Sequence, residues 1–291
     1  MRVVQEKPWF VAVAGALVIA GAFLISSFAR SGDRAILCSL GTYSLSSSSG
    51  GGFGTPDAST GAQLAETVLH YATTGVTPQQ SRPEIRISFD VLRQRGPCNF
   101  LVFGLGHDSL MWSAFNAGGT TLFLEEDPKW VQTVLKDDAT HTLRAKTVRY
   151  PTQLQQADEL LRSYRSEPKC LPPGAFLKGN RGCRLALADL PEEVYEREWD
   201  LIMIDAPRGY FNEAPGRMGA IYSAAVMARN RRGEGDTHVF LHDVDRRVEK
   251  TFAMEFLCKR YLVKGTGRLW HFRIPSVRDE AANSTRTGGF C

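Results

Sequence analysis

The stretch Asn99-Phe-Leu-Val-Phe-Gly-Leu-Gly-His-Asp-Ser-Leu-Met-Trp112 constrains this 291-residue chain more than any other. Phe100 to Phe103 is a short apolar run, aromatic or β-branched in part, which suits a strand covered on both faces. Gly104 and Gly106 end it, and a helix is predicted from about Ser109 to Ala117. A strand-to-helix turn without side chains lets backbone come close to a ligand, and the helix offers unpaired N–H groups. Two glycines also satisfy any tight βα turn, so the pattern needs support from the rest of the chain.

That support comes from the next predicted strand, Thr120 to Leu124, which runs into Glu125-Glu126-Asp127-Pro128. A doubly wound fold places a ribose-binding carboxylate about 20 positions after its glycine turn. Asp127 and Pro128 read as the N-cap and first position of the following helix. This leaves Glu125 as the ribose candidate, with Gly104 and Gly106 as the backbone wall of a cofactor site. Ser109 stands where a nicotinamide fingerprint has its third glycine, the one that allows close packing around a pyrophosphate. A ligand without pyrophosphate, such as S-adenosylmethionine, fits this pattern better than a dinucleotide. The expected fold is therefore α/β, a Rossmann-like doubly wound sheet of the class I methyltransferase type.

Two further strand ends carry candidate chemistry. Asp200-Leu-Ile-Met-Ile-Asp-Ala-Pro207 ends in Asp205, and Thr237-His-Val-Phe-Leu-His-Asp-Val-Asp245 ends in His242 and Asp243. Ligands of open α/β sheets bind at the carboxyl ends of strands, so these groups should share a crevice with Gly104 and Glu125. Methyl transfer to an alcohol needs a base for the hydroxyl proton or a cation that acidifies it. Asp205 and Asp243 could share a divalent metal, or one could act as base beside His242. Capping of helices is the structural alternative for such acids. The glycine-bearing segment Pro207 to Met218 reads as a substrate lid, with Tyr210 and Phe211 stacking on a sugar and Arg208 or Arg217 forking onto a carboxylate. Pairing of Arg217 with Glu213 is the other reading. In Arg184-Leu-Ala-Leu-Ala-Asp-Leu-Pro191, Asp189 is the adenine candidate, as an acid just past the third strand, or else a cap of the turn before Pro191.

The remaining segments set the context. Trp9 to Phe28 carries no charged side chain and matches the thickness of a bilayer, which predicts an uncleaved anchor. Arg2 and Lys7 before it are balanced by Arg30 and Arg34 after it, so charge alone leaves the orientation open. Ser44 to Gly54 is almost wholly Ser and Gly, a flexible stem. Helices are predicted over Ala62 to Ala72, with Leu64, Val68 and Leu69 on one side, and over Pro83 to Gln94. A net charge of +4 is too mild to argue for nucleic acid, although Arg229, Arg231, Arg232, Arg246 and Arg247 could face an acidic substrate. No pair of the six cysteines has C-x-x-C spacing. Cys170 and Cys183 bracket a Pro/Gly-rich loop that a disulfide would fasten, Cys258 and Cys291 could form a second pair, and Asn283-Ser-Thr is a glycosylation sequon if luminal.

Taken in order, Thr77-Pro-Gln-Gln80, Pro97 to Trp112, Thr121 to Asp127, Trp199 to Pro207, Glu213 to Met218 and His242-Asp-Val-Asp-Arg246 closely resemble the plant glucuronoxylan 4-O-methyltransferases. The resemblance implies a type II Golgi membrane protein that transfers methyl from S-adenosylmethionine to the 4-hydroxyl of glucuronic acid on glucuronoxylan. It implies a cytosolic tail (1–8), a transmembrane anchor (9–28), a stem (29–60) and a luminal catalytic domain (61–291). Relatives in that family act on glucuronic acid of arabinogalactan. A non-catalytic scaffold of polysaccharide synthesis is the alternative from a different class, and a dehydrogenase is disfavoured by Ser109.

Overall fold

The computed structural model describes residues 58–137, 139–276 and 289–291, all within one unit, Thr55–Cys291. The apolar span Trp9 to Phe28, the Ser/Gly stem and Asn283 lie outside the described residues. Among the described residues, no helix is long and apolar enough to cross a membrane.

Among the described residues, seven strands form one sheet: β1 (Asn99–Phe103), β2 (Thr120–Glu125), β3 (Ala145–Thr147), β4 (Leu201–Ile204), β5 (Asp236–Leu241), β6 (Leu262–Thr266) and β7 (Leu269–Pro275). Their order is β3-β2-β1-β4-β5-β7-β6. The first five are parallel, and β7 joins β5 and β6 antiparallel. This is the expected doubly wound architecture. The helices are α1 (Ala58–Thr73), α2 (Arg82–Arg95), α3 (Ser109–Phe115), α4 (Pro128–Leu135), α5 (Ala157–Ser163), α6 (Glu192–Glu196), α7 (Met218–Arg229) and α8 (Arg247–Phe252).

Strand side chains alternate between two apolar layers, as the period of two requires. Phe100 and Val102 of β1 pack with Ile87 of α2, Trp112 of α3 and Val131 of α4. Leu101 and Phe103 pack on the other face with Leu160 of α5, Ile221 of α7 and Phe252 of α8. A sheet buried on both faces reads in sequence as continuous apolar runs. Helix α7 is buried nearly all round; its Gly219 and four alanines let it lie close to the sheet. A capping box formed by Ser81 and Glu84 starts α2, with Pro83 in its first turn.

Two local expectations are corrected. Arg184 to Leu190 forms turns rather than a strand; Leu185 and Leu187 are buried against α7, and the Leu187 N–H donates to Ser223 Oγ at 3.2 Å. Leu64, Val68 and Leu69 of α1 are exposed. The adjacent face of α1, centred on the buried Thr67, makes the contacts, with Gln63 donating to Ser113 and Tyr71 donating to the His107 carbonyl at 2.6 Å. The edge strand β6, with Val263 exposed, lacks the apolar run by which the other strands announce themselves. Cys170 is bonded to Cys183 and Cys258 to Cys291.

Candidate active site

The strand order reverses between β1 and β4, and the segments leaving their carboxyl ends diverge to opposite faces of the sheet. A crevice at that point is the natural ligand site of such a fold. It is occupied here by a cleft of about 420 Å³, lined among others by Gly104, Asp108, Glu125, Asp205, Arg217 and Asp243. The volume lies within the usual range for small-molecule sites.

One wall is backbone. Gly104 has φ +127°, where L side chains are rare, and a Cβ there would stand 3.2 Å from Ala206 Cβ. The turn is held from below by Glu125, whose Oε2 accepts from Leu105 N–H at 3.0 Å. Its Oε1 accepts from Glu126 and Asp127 N–H at 2.8 and 3.0 Å. Burial raises the Glu125 carboxyl above its ordinary range, with these three N–H groups acting against the shift. Trp130 Nε1 donates to the Leu105 carbonyl at 2.6 Å, completing the rim. Asp127 caps α4 by accepting from Lys129 N–H at 2.9 Å.

The facing wall is charged. Asp205 Oδ1 lies 2.9 Å from His242 Nδ1 and 3.3 Å from Arg217, and its Oδ2 accepts from Gln80 at 3.1 Å. Burial works against its charge, but His242, Arg217 and Gln80 together outweigh it and hold Asp205 below the ordinary carboxylate range. Asp243, in the left-handed region at φ 60° that Asp tolerates, meets Arg217 at 2.8 Å, Arg246 at 3.0 Å and Arg268 at 2.6 Å. Behind His242, at 3.8 Å from Nε2, lies the buried Glu84, which also accepts from Ser81 and from Arg268 N–H. Asp108 sits between the walls, its Oδ2 accepting from Trp112 Nε1 at 2.8 Å. Burial and the neighbouring Asp205 charge push its carboxyl up to about 6.

One ligand atom each from Asp205, His242 and Asp243 come within 4.8 Å of one another. Asp243 already carries three guanidinium partners, whose positive charge opposes a divalent ion beside it. The donor set is not an open cation site.

The family model for IRX15/IRX15L/GXM matches residues 83–272. The chain is 55% identical over 290 residues to Arabinogalactan O-methyltransferase 2 of Arabidopsis thaliana, covering 98% of this chain and 95% of the relative. It is 50% identical over 228 residues to Glucuronoxylan 4-O-methyltransferase 1 of the same plant, covering 78% and 79%. It belongs to the IRX15/IRX15L/GXM family. Protein IRREGULAR XYLEM 15 of Arabidopsis thaliana, another relative, is 37% identical over 229 residues, covering 77% of this chain and 68% of its own length. A methyltransferase-like protein from silicibacter pomeroyi has a TM-score of 0.34 at 15% identity, covering 68% of this chain and 89% of its own; the likeness is too slight to bear on the reading.

For this member of the IRX15/IRX15L/GXM family, the structure gathers Gly104, Gly106, Glu125, Asp205, Arg208, Tyr210, Arg217 and Asp243 on one cleft. His242 stands behind Asp205, itself only 1% exposed. Asp189 is not brought there: it lies at a separate surface hollow and pairs with Arg181 at 2.6 Å, because the segment before it turns away instead of adding a strand. Arg217 is neither a lid arginine nor a partner of Glu213. It is 4% exposed and its donors are taken by Asp205, Asp243 and the carbonyls of Pro207 and His242. Arg208 pairs with Glu126 at 2.8 Å on the rim, and Tyr210 projects into solvent. Arg229 is buried, donating to the Phe290 carbonyl at 2.7 Å, and Arg231 is held by Asp200, so neither faces a substrate. Sequence reasoning missed Gln80, Glu84 and Asp108. Only for Asp108 was there a local signal, a carboxylate directly after the glycine turn.

Proposed function

We propose that the chain transfers methyl from S-adenosylmethionine to the 4-hydroxyl of glucuronosyl residues on a plant polysaccharide. The observation that carries this reading is the meeting of the Gly104 turn and Glu125 with the strand-end acid Asp205 in one cleft. The cradle suits the donor: bare backbone at Gly104 admits close approach, and Glu125 retains acceptor capacity for ribose hydroxyls. When bound, S-adenosylmethionine supplies an electrophilic methyl on a sulfonium.

The residues of the chain do the rest. Asp205, kept ionised by Arg217 and His242, is the group positioned to accept the acceptor's hydroxyl proton. Arg217 fixes Asp205 to Asp243, so the carboxylate cannot swing out of line. Arg246 on the cleft wall and Arg208 on its rim meet the carboxylate of the uronic acid. A neutral sugar would add no charge partner to these cations beyond Glu126 and Asp243, with which they already pair.

Xylan is the acceptor that the sequence resemblance implies. Similarity over 98% of the chain to Arabinogalactan O-methyltransferase 2, against 78% for Glucuronoxylan 4-O-methyltransferase 1, makes glucuronosylated arabinogalactan the first acceptor to test. In this reading Trp9 to Phe28 anchors the chain in the Golgi membrane, with the disulfide-bearing domain in the lumen.

Incubation of the protein with radiolabelled methyl donor and each polysaccharide, with and without a chelator, tests the proposal. Transfer to a uronosyl polymer is expected, falling by about 10²–10⁴ in Asp205→Asn while donor binding persists. Absence of transfer by the wild type to both polymers supports the scaffold instead. Loss of transfer on chelation would restore the metal reading of Asp205 and Asp243.

A further inference from the structure

Beside the cleft, the segments after β4 and β5 border a second, open cavity of about 440 Å³, with Leu154, Gln155 and Asp158 at the start of α5 on its third side. Tyr210 and Arg246 line both spaces, so the two adjoin. The linings differ in kind. The cleft is dominated by ionised groups, whereas the second cavity presents amides and a balanced ion pair. Gln155 and Asn212 supply neutral donors and acceptors on its wall. Asp158 and Arg247 form a forked pair at 2.7 and 3.2 Å, offering further hydrogen-bonding edges without net charge. Tyr210, 67% exposed and edge-on to Phe211 at 5.2 Å, stands at the junction as an apolar ring face.

Beneath this lining lies Glu249, wholly buried, with neither carboxyl oxygen hydrogen-bonded. Its Oε1 is 3.9 Å from Arg246 Nη1. The loop passes directly over it: a Cβ on Gly209 would stand 2.8 Å from Oε1. Burial raises this carboxyl above its ordinary range, with Arg217 and Arg246 acting against the shift. A buried acid without partners is costly and marks a place where polar atoms of a ligand can complete the set. An aromatic face, amides and arginines already paired with Asp158 and Asp243 suit a polyhydroxylated, neutral occupant.

We propose that this cavity is a subsite for the neutral sugar that carries the uronosyl residue, so that the acceptor is recognised as a disaccharide or longer. Arg246 then marks the boundary, with the uronic acid on its cleft side and the neutral sugar on the other. The inference rests on the proposed function for the identity of the acid in the cleft.

The test compares free glucuronic acid with a glucuronosyl disaccharide and trisaccharide as acceptors for the full chain. The expected result is a kcat/KM at least about tenfold higher for the disaccharide, the worth of one or two neutral hydrogen bonds. The double variant Asn212→Ala, Gln155→Ala should remove that gain through KM and leave kcat/KM for free glucuronic acid as it was. Equal values for free acid and disaccharide in the wild type overturn the subsite while leaving the proposed function standing, as does an equal loss on both acceptors in the variant. If the wild type methylates neither these sugars nor the polymers, the proposed function fails, and calorimetry with the same sugars decides the cavity. Tighter binding of the disaccharide, lost in the double variant, keeps the subsite, and indistinguishable binding removes it.

Discussion

Arg217 donates to the carboxylate of Asp243 at 2.8 Å with both side chains about 5% exposed, and the same guanidinium nitrogen reaches the Asp205 carbonyl at 2.6 Å. One side chain at the start of α7 thus ties the end of β4 to the end of β5. Removing one member of a buried ion pair costs about 3–5 kcal/mol, and Arg217→Met is expected to lose stability on that scale in denaturant unfolding. Arg217→Lys keeps the charge but not the fork. It should fold and yet lose about 100-fold in kcat through misplacement of Asp205; a lysine variant with wild-type kcat would show that alignment is not the role of this residue.

Gly104 makes a sharper claim about the donor wall. Gly104→Ala places a side chain at φ +127° and 3.2 Å from Ala206 Cβ, a strain of about 1–3 kcal/mol. Affinity for S-adenosylmethionine measured by calorimetry should fall at least about tenfold. Gly61→Ala is the control, since nothing lies within 4 Å of its added Cβ. Equal donor affinity in both variants would remove the glycine turn from the donor site.

The Asp108 carboxyl, raised to about 6 by burial and by Asp205, gives a pH signature. Above pH 6 the folded state carries a charge its surroundings disfavour, so Asp108→Asn should stabilise the fold there by on the order of 1–3 kcal/mol. Between pH 6 and the ordinary aspartate value the folded wild type takes up a proton that the unfolded chain does not bind. The advantage of the variant therefore shrinks across that window and is gone below it. Thermal melts of both proteins from pH 4 to 8 check this, and parallel curves refute it.

Glu125 offers a test that separates support of the turn from donor binding. Glu125→Gln sets an amide N–H₂ against backbone N–H groups now received by two oxygens. A buried donor left without an acceptor costs about 1–3 kcal/mol. Loss of stability of that size with donor affinity unchanged would confine Glu125 to supporting the turn, whereas weakened binding at constant stability would assign it to the ribose.

What the sequence disclosed follows from what is local. The turn after β1, the acid ending β2 and the polar groups ending β4 and β5 were legible because parallel strands buried on both faces stand out as unbroken apolar runs. Asp189 misled because Leu185 to Ala188 is also a short apolar run, and periodicity does not separate a strand from a packed turn at that length. Leu64, Val68 and Leu69 follow helical spacing, yet α1 docks through Gln63 and Tyr71 instead. Gln80 reaches Asp205 across 125 positions of sequence, and Arg217 was visible as a cation but not as a hub. Contacts of that separation are set by the assembled sheet.

Each of the two cystine bridges holds an irregular segment against the core. Tyr222 of α7 donates to the Cys170 carbonyl at 3.0 Å, and Phe290, next to Cys291, packs edge-on to Phe256. Neither segment has ladder hydrogen bonds of its own to fall back on. The redox poise of the surroundings in which the polypeptide matures is therefore one of its thermodynamic variables. A host that keeps thiols reduced would yield material whose α7 face is poorly covered, whatever the purity of the preparation.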